Sequence, residues 1–197
     1  MQAEDNSKSV KDVVLMDSDG TNNLIEDIAG KVTLFANVTG HCGNAEQYKI
    51  LEDVYQKYKD RGFQVIAVPT NDYCGPGVTY GKYEKGIASA KDAEEYGREA
   101  WNVTYPFSEL VVSRETRDGE EQKPEVHDLY KRLNPEGEKA AINGNFEKFL
   151  VDKKGNQRIR KANGVLLWWA HRDGYCESPE QEYENLCRDI EQLLDEE

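Results

Sequence analysis

Cys42 stands near the end of Lys31-Val32-Thr33-Leu34-Phe35-Ala36-Asn37-Val38-Thr39-Gly40-His41-Cys42-Gly43, an apolar, β-rich run that ends in a turn of small residues. A helix-forming stretch follows it. A thiol in that place meets unpaired backbone N–H groups and the positive end of a helix dipole. Both favour the thiolate, which is the nucleophilic form, so the spacing points to thiol redox chemistry. The competing expectation is a small buried hydrophobe, since free cysteine is among the most buried residue types. A position before a helix and between two glycines argues against it. A second thiol, Cys74, lies in the Gly-rich loop Asn71-Asp72-Tyr73-Cys74-Gly75-Pro76-Gly77.

The remaining cysteines, Cys176 and Cys187, bracket the start of the last helix, and a bridge between them needs the chain to fold back on that helix. Free or separately buried thiols are expected there. The four cysteines show no CxxC spacing, which disfavours a zinc site or a thioredoxin-type dithiol. The three histidines, His41, His127 and His171, are scattered. Only His41 neighbours a cysteine, and adjacent residues rarely share a face. No metal centre and no cofactor is expected.

The elements that must position Cys42 are legible in outline. Val13–Met16, the turn-rich 17–23 and the apolar Leu24, Ile25 and Ile28 suggest an N-terminal β-hairpin. Val32–Val38 is continuously apolar enough for a strand buried on both faces. A helix is expected from about Asn44 to Asp60, with Tyr48, Leu51, Tyr55 and Tyr58 on one stripe and Gly62 as its C-terminal stop. Phe63–Val68 is the next strand, giving a β–α–β unit with parallel pairing. Further helices are expected over 88–101 and 126–133, extended segments over 105–112, 146–151 and 165–169, and charged, exposed chain over 113–123. The last helix begins at the N-cap Ser178 with Pro179 at its first position. This order fits an α/β, thioredoxin-like fold: a central mixed sheet flanked by helices. Residues 1–10 are expected to be a mobile lead-in, and 11–197 a single domain.

With 197 residues and a formal net charge of −13, nucleic acid and anionic membranes are poor partners. No apolar run is long enough for a transmembrane helix. The N-terminus lacks the apolar core of a signal peptide, so a cytoplasmic location is expected. The alternative is a periplasmic or secreted mature form whose signal has been removed. The two Asn-Val-Thr tripeptides at 37 and 102 match the glycosylation pattern by chance.

Five segments resemble the glutathione peroxidase family, in order, over roughly Val13 to Leu194. They are Gly30-Lys31-Val32, Asn37 through Cys42-Gly43 to Gln47-Tyr48, Gly62-Phe63-Gln64-Val65 to Pro69-Thr70-Asn71, Val103-Thr104-Tyr105-Pro106-Phe107, and Asn145-Phe146-Glu147-Lys148-Phe149-Leu150-Val151-Asp152. In that family a peroxidatic residue is assisted by glutamine, tryptophan and asparagine. The resemblance places Cys42 as the peroxidatic residue and Asn145 as the asparagine. Asp72 stands at the glutamine position and Gly144 at the tryptophan position. An ionised Asp72 would raise the thiol pKa, whereas a protonated one could donate a hydrogen bond.

The function implied is a thiol-dependent peroxidase that reduces hydrogen peroxide or organic and lipid hydroperoxides. Cys42 becomes a sulfenic acid, backbone N–H groups and Asn145 polarise the peroxide, and glutathione or a thioredoxin-like thiol is the reductant. Many cysteine members carry a resolving cysteine on the helix after the Gly-rich loop; residues 88–101 have none, and Cys74 is the candidate instead, against the alternative of a plain loop residue. Arg172 resembles basic residues that meet glutathione in some members. Lys153 to Gly164 reads as a long basic hairpin tip in which Arg158 and Arg160 are candidate contacts for an anionic reductant or substrate, against the alternative of a solvated turn. The short stretch Pro135–Lys139 resembles monomeric members. The rival reading is a peroxidase-inactive thioredoxin-fold protein engaged in thiol–disulfide exchange, redox sensing or binding.

Overall fold

The apolar run before Cys42 becomes β1, Val32–Val38, and every residue of it is buried. A strand buried on both faces must be covered from both sides. Val32, Leu34, Ala36 and Val38 join one core cluster, and Phe35 joins the other. The computed structural model describes residues 8–75, 77–115, 125–140, 142, 144–161 and 178–196.

The expected β–α–β unit is present. Helix α2, Gln47–Tyr58, buries Tyr48, Ile50, Leu51, Val54 and Tyr58. It runs into a 3₁₀ turn, Lys59–Arg61, and stops at Gly62, whose φ of 85° is a left-handed cap that a side chain would strain. Strand β2, Phe63–Pro69, then pairs with β1 in parallel, from Val32 opposite Phe63 to Val38 opposite Pro69. Helix α3, Ala90–Trp101, is capped by Ser89, whose side chain accepts from the Asp92 N–H. The 105–112 segment bridges β2 at Phe107, beside Ala67, and its Val111 N–H donates to the Pro69 carbonyl at 3.0 Å. Helix α4 is Asp128–Leu133.

Strand β3, Lys148–Val151, pairs antiparallel with β1. Strand β4, Gln157–Lys161, pairs antiparallel with β3, giving the order β2-β1-β3-β4. Helix α5, Pro179–Asp195, closes one face, and its Ser178–Gln181 capping box and Pro179 are as expected. Leu186, Ile190, Leu193 and Leu194 pack with α2 and the β1 side chains named above. The opposite face is covered by Val10, Val13, Leu15, Leu24, Ile25, Leu129 and Leu133. Each large apolar side chain held in these layers contributes about 1.5–3 kcal/mol.

Three expectations change. The N-terminal hairpin is a single antiparallel bridge, Met16 to Asn23, closed by the Asp17 N–H on the Asn22 carbonyl. Its second arm turns helical as α1, Leu24–Asp27, because the Asn23 side chain caps the Ile25 N–H. The lead-in expected over 1–10 ends sooner: Ser9 bridges Asn156, the Val10 N–H donates to the Gly155 carbonyl, and Val10 is buried. Of the long basic hairpin tip expected over 153–164, the described part, 153–161, is instead a tight turn at 152–156 followed by β4, and 162–164 lie outside the described residues. The strand expected over 165–169 lies outside the described residues, as do Trp168 and Trp169.

Candidate active site

Parallel pairing brings the carboxyl ends of β1 and β2 to one edge of the sheet. Cys42 follows β1 there, and Asn71, Asp72 and Cys74 follow β2. Because β3 runs the other way, its amino end arrives at the same edge: Lys148 pairs Ala36. Just before it, the Phe146 N–H donates to the Asn37 carbonyl at 2.7 Å, and Asn37 Nδ2 donates to the Gly144 carbonyl at 2.8 Å. This clamp fixes Asn145 at the edge that carries Cys42. Three of the expected site residues, Cys42, Asp72 and Asn145, and the second thiol Cys74 are thus gathered by topology.

Cys42 is half-buried and a free thiol. It does not sit directly on the first turn of α2. Residues 43–46 form tight turns, with the Ala45 N–H on the Cys42 carbonyl at 3.0 Å, and the α-helix begins at Gln47. The donor that meets the sulfur is a turn amide, the Asn44 N–H, at 3.4 Å from Sγ. Such an amide stabilises negative charge on sulfur or on an adjacent oxygen. The Tyr48 hydroxyl donates to the Thr39 carbonyl at 2.7 Å. Burial, then Tyr96 and Cys42, push the Tyr48 phenol well above its ordinary range, so it remains a donor.

Cys74 is buried. Its Sγ shares a hydrogen bond with Thr39 Oγ1 at 3.5 Å and approaches Asn71 Oδ1 and the Lys85 carbonyl at 3.7 and 3.6 Å. Burial is the main cause that raises its pKa, with negative charge on Cys42 and Asp72 adding to it.

A strap of chain over 84–87 crosses them. The His41 N–H donates to the Glu84 carbonyl, Thr39 Oγ1 to the Lys85 carbonyl, and Asn71 holds both the N–H and the carbonyl of Ile87. Gly40 lets this strap approach: a Cβ there would fall 2.2 Å from the Glu84 oxygen.

Asp72 is also buried, but its Oδ2 accepts from the Ser113 N–H at 2.6 Å, from Ser113 Oγ at 2.8 Å and from the Arg114 N–H at 3.3 Å. It anchors the 113–114 segment. Asn145 is 8% exposed, and its Oδ1 has no hydrogen-bond partner among the described residues. A buried amide oxygen in that state is set up to receive a donor from a ligand.

Of the expected basic contacts, Arg158 lies away from these groups, whereas Arg160 pairs with Glu147, two residues from Asn145. Arg158 pairs with Asp152 at 3.1 Å and Glu196 at 2.7 Å. It follows Gln157, which pairs Val151, which in turn belongs to the pair with Thr33. The strand from Thr33 to Val38 covers about 17 Å at about 3.3 Å per residue, so Arg158 lies toward the far edge. Arg160 pairs with Glu147 and donates to Asn134 Oδ1 at 3.1 Å, and Lys161 pairs with Asp189 at 3.0 Å. These cations tie an edge strand to acidic neighbours. Arg172 and Cys176 lie outside the described residues. Cys187 is free and buried, with Lys57 Nζ at 3.5 Å from its sulfur.

Sequence reasoning missed Thr39, Gly40, Tyr48, Asn37 and the 84–87 strap as site elements. Gly40 carried the one usable signal, a glycine next to the nucleophile. The strap was invisible because its contacts join residues 16 to 46 positions apart.

Among the described residues no helix is long and apolar enough to cross a membrane, and no cluster of three or more His, Cys, Asp or Glu could hold a metal ion. Solved structures share the fold: a T. cruzi GPX1 crystal structure at TM-score 0.58 and 23% identity, covering 95% of this chain and 97% of that one. A putative thiol:disulfide interchange protein DsbE from Chlorobium tepidum aligns at TM-score 0.55 and 19% identity, covering 98% and 99%. In sequence the chain is similar to the thioredoxin/glutathione peroxidase BtuE of Escherichia coli, 33% identical over 162 residues, spanning 75% of this chain and 84% of that protein. It is also similar to the glutathione peroxidase-like peroxiredoxin gpx1 of Schizosaccharomyces pombe, 33% identical over 144 residues, spanning 73% and 82%. The glutathione peroxidase family model matches residues 10–134. With Cys42 on the sheet edge where this fold gathers its reactive groups, the chain belongs to the glutathione peroxidase family.

Proposed function

We propose that the protein is a thiol-dependent peroxidase acting on hydrogen peroxide or organic hydroperoxides. The observation that carries this reading is Cys42 in a family-matched segment, half-exposed at the sheet edge, with the Asn44 N–H directed at its sulfur. The Cys42 thiolate attacks one peroxide oxygen. The S–O bond forms as the O–O bond breaks, and water or an alcohol leaves with a proton. Asn145, with its unpartnered Oδ1, accepts the hydroperoxide O–H and orients it. Asp72 acts through the 113–114 segment rather than on the peroxide.

Cys74 then resolves the sulfenic acid. Its sulfur attacks Cys42 Sγ, the S–S bond forms, and water leaves. An external thiol of the glutathione or thioredoxin class reduces the disulfide. The position of Cys74 beside Thr39, after β2 at the sheet edge where Cys42 follows β1, supports this assignment. The short 3₁₀ turn Gly137–Ala140, where an interface loop would otherwise lie, supports a monomer open to bulky hydroperoxides.

Stopped-flow oxidation by hydrogen peroxide and a lipid hydroperoxide tests the reading. The wild type should react far faster than a free thiol, and Cys42→Ser should abolish the reaction. Cys74→Ser should keep the first oxidation but accumulate a dimedone-reactive sulfenic acid. A wild type no faster than free cysteine refutes the peroxidase. A Cys42–Cys74 peptide missing from mass spectra after one equivalent of peroxide refutes the resolving role alone.

A further inference from the structure

Lys148 is an anomaly for a strand residue. Its side chain has no exposure, yet it carries an ammonium group on the core face of the sheet. It lies at the amino end of β3, opposite Ala36 of β1, and Leu150, on the same face, belongs to the core cluster shared with α2 and α5. An ammonium there is expensive unless it is paired and hydrogen-bonded. Each of its bonds ends on a different part of the molecule. Nζ pairs with Glu182 of α5 at 2.8 Å. It donates to Oε1 of Gln47, the first residue of α2, at 2.5 Å. It also donates to the Phe146 carbonyl at 3.0 Å.

The last two bonds reach both halves of the proposed site. Gln47 begins the helix that the Cys42 turn feeds. Phe146 follows Asn145 directly and has a φ of 66°, a left-handed backbone that a bulky residue adopts only when its surroundings impose it. Here its N–H is held by the Asn37 carbonyl and its own carbonyl by Lys148. Its ring meets Tyr48 edge-on at 5.0 Å.

We infer that Lys148 is a positioning residue for peroxide reduction: through Gln47 and the Phe146 carbonyl it holds the Cys42 turn and Asn145 in one fixed relation. The inference rests on the peroxidase reading above. Reaction in a preorganised site is sensitive to such registration, and a misplacement of about 1 Å costs about 100-fold in rate. Alkylation of the same thiol by iodoacetamide needs no second group and is not sensitive to it. The ratio of the peroxide rate to the alkylation rate at Cys42 therefore separates positioning from a general loosening.

The test uses the full chain in two variants. Lys148→Met with Glu182→Met removes both charges together and leaves neither buried alone. Gln47→Met keeps the ion pair and releases only α2. The ratio should fall about 10- to 100-fold in the double variant and in the same direction in Gln47→Met, with native near-UV dichroism retained. A ratio within about twofold of wild type in the folded double variant overturns the inference. Should the double variant fail to fold, Gln47→Met decides by the same criterion. A wild type whose Cys42 meets peroxide no faster than a free thiol removes the peroxidase reading and this inference together, and is recognised before any variant is compared.

Discussion

Gly40→Ala puts the strap over the two thiols to a direct test. The added methyl would sit 2.2 Å from the Glu84 carbonyl oxygen and 3.3 Å from that of Lys85. Both obstacles are backbone, so no side chain can swing aside. The strap must move out by about 1 Å to restore ordinary contact, and overpacking of this kind costs about 1–3 kcal/mol. The same movement stretches the His41 N–H bond to Glu84, now 2.8 Å, and the Thr39 Oγ1 bond to Lys85, now 3.1 Å. Each contributes about 0.5–1.5 kcal/mol, so the sum is about 2–6 kcal/mol. For a chain of this size 1 kcal/mol corresponds to about 2–4 °C, giving a fall in Tm of about 5–20 °C. Scanning calorimetry measures it. The Lys85 carbonyl also covers Cys74, so alkylation of native protein followed by peptide mapping should show Cys74 labelled in the variant and protected in the wild type. A Tm within about 2 °C of wild type, with Cys74 still protected, would refute the claim that the backbone contact at Gly40 holds the strap.

Two further outcomes follow from the same geometry. Asp72→Ala leaves the buried Ser113 and Arg114 N–H groups without their acceptor and should cost about 2–4 kcal/mol in denaturant unfolding. The folded fraction should still oxidise Cys42 within about tenfold of the wild-type rate, whereas a loss of about 100-fold or more would make Asp72 a proton donor to the reaction. Asp17 has its pKa lowered from 3.8 to about 2, first by the Thr21 N–H and then by the Asn22 side chain. A carboxylate depressed in the folded state stabilises above its unfolded pKa, and that contribution disappears as pH falls through about 2. Asp17→Asn should therefore lose less stability than wild type between about pH 5 and about pH 2, measured by urea midpoints; parallel losses would show that the turn does not depend on the charge.

What could be read from the chain follows the range of the physics. Strand β1 and helices α2, α3 and α5 were legible because their signals are local: an unbroken apolar run, stretches of helix-forming composition, a stripe at helical spacing, Gly62 as a stop and Ser178 as a cap. Cys42 was legible because a nucleophile after a buried strand is a local pattern, and the resemblance of five ordered segments placed Asn145 and Asp72 beside it. Strand β4 was not. Gln157–Lys161 is charged and alternates poorly, and it becomes a strand because Glu147, Asp152, Asp189 and Glu196 arrive from elsewhere to neutralise it. An edge strand armed with charge also resists pairing with other chains. The same reasoning that missed β4 read its residues as part of a hairpin tip.

By itself the sequence determined the two-faced burial of β1, the parallel β–α–β unit and the presence of a thiol at its mouth, since these depend on periodicity and turn chemistry within short windows. Tertiary structure alone decided what surrounds that thiol. Asp72 is turned to Ser113, Cys74 is placed under the Lys85 carbonyl, Asn145 is held by Asn37, and Lys148 is buried between Gln47 and Glu182. All but the Lys85 cover of Cys74, which comes from 11 residues on, depend on a partner that the chain brings in from 30 or more residues away, and a long-range pairing of polar groups leaves no periodic trace along the sequence.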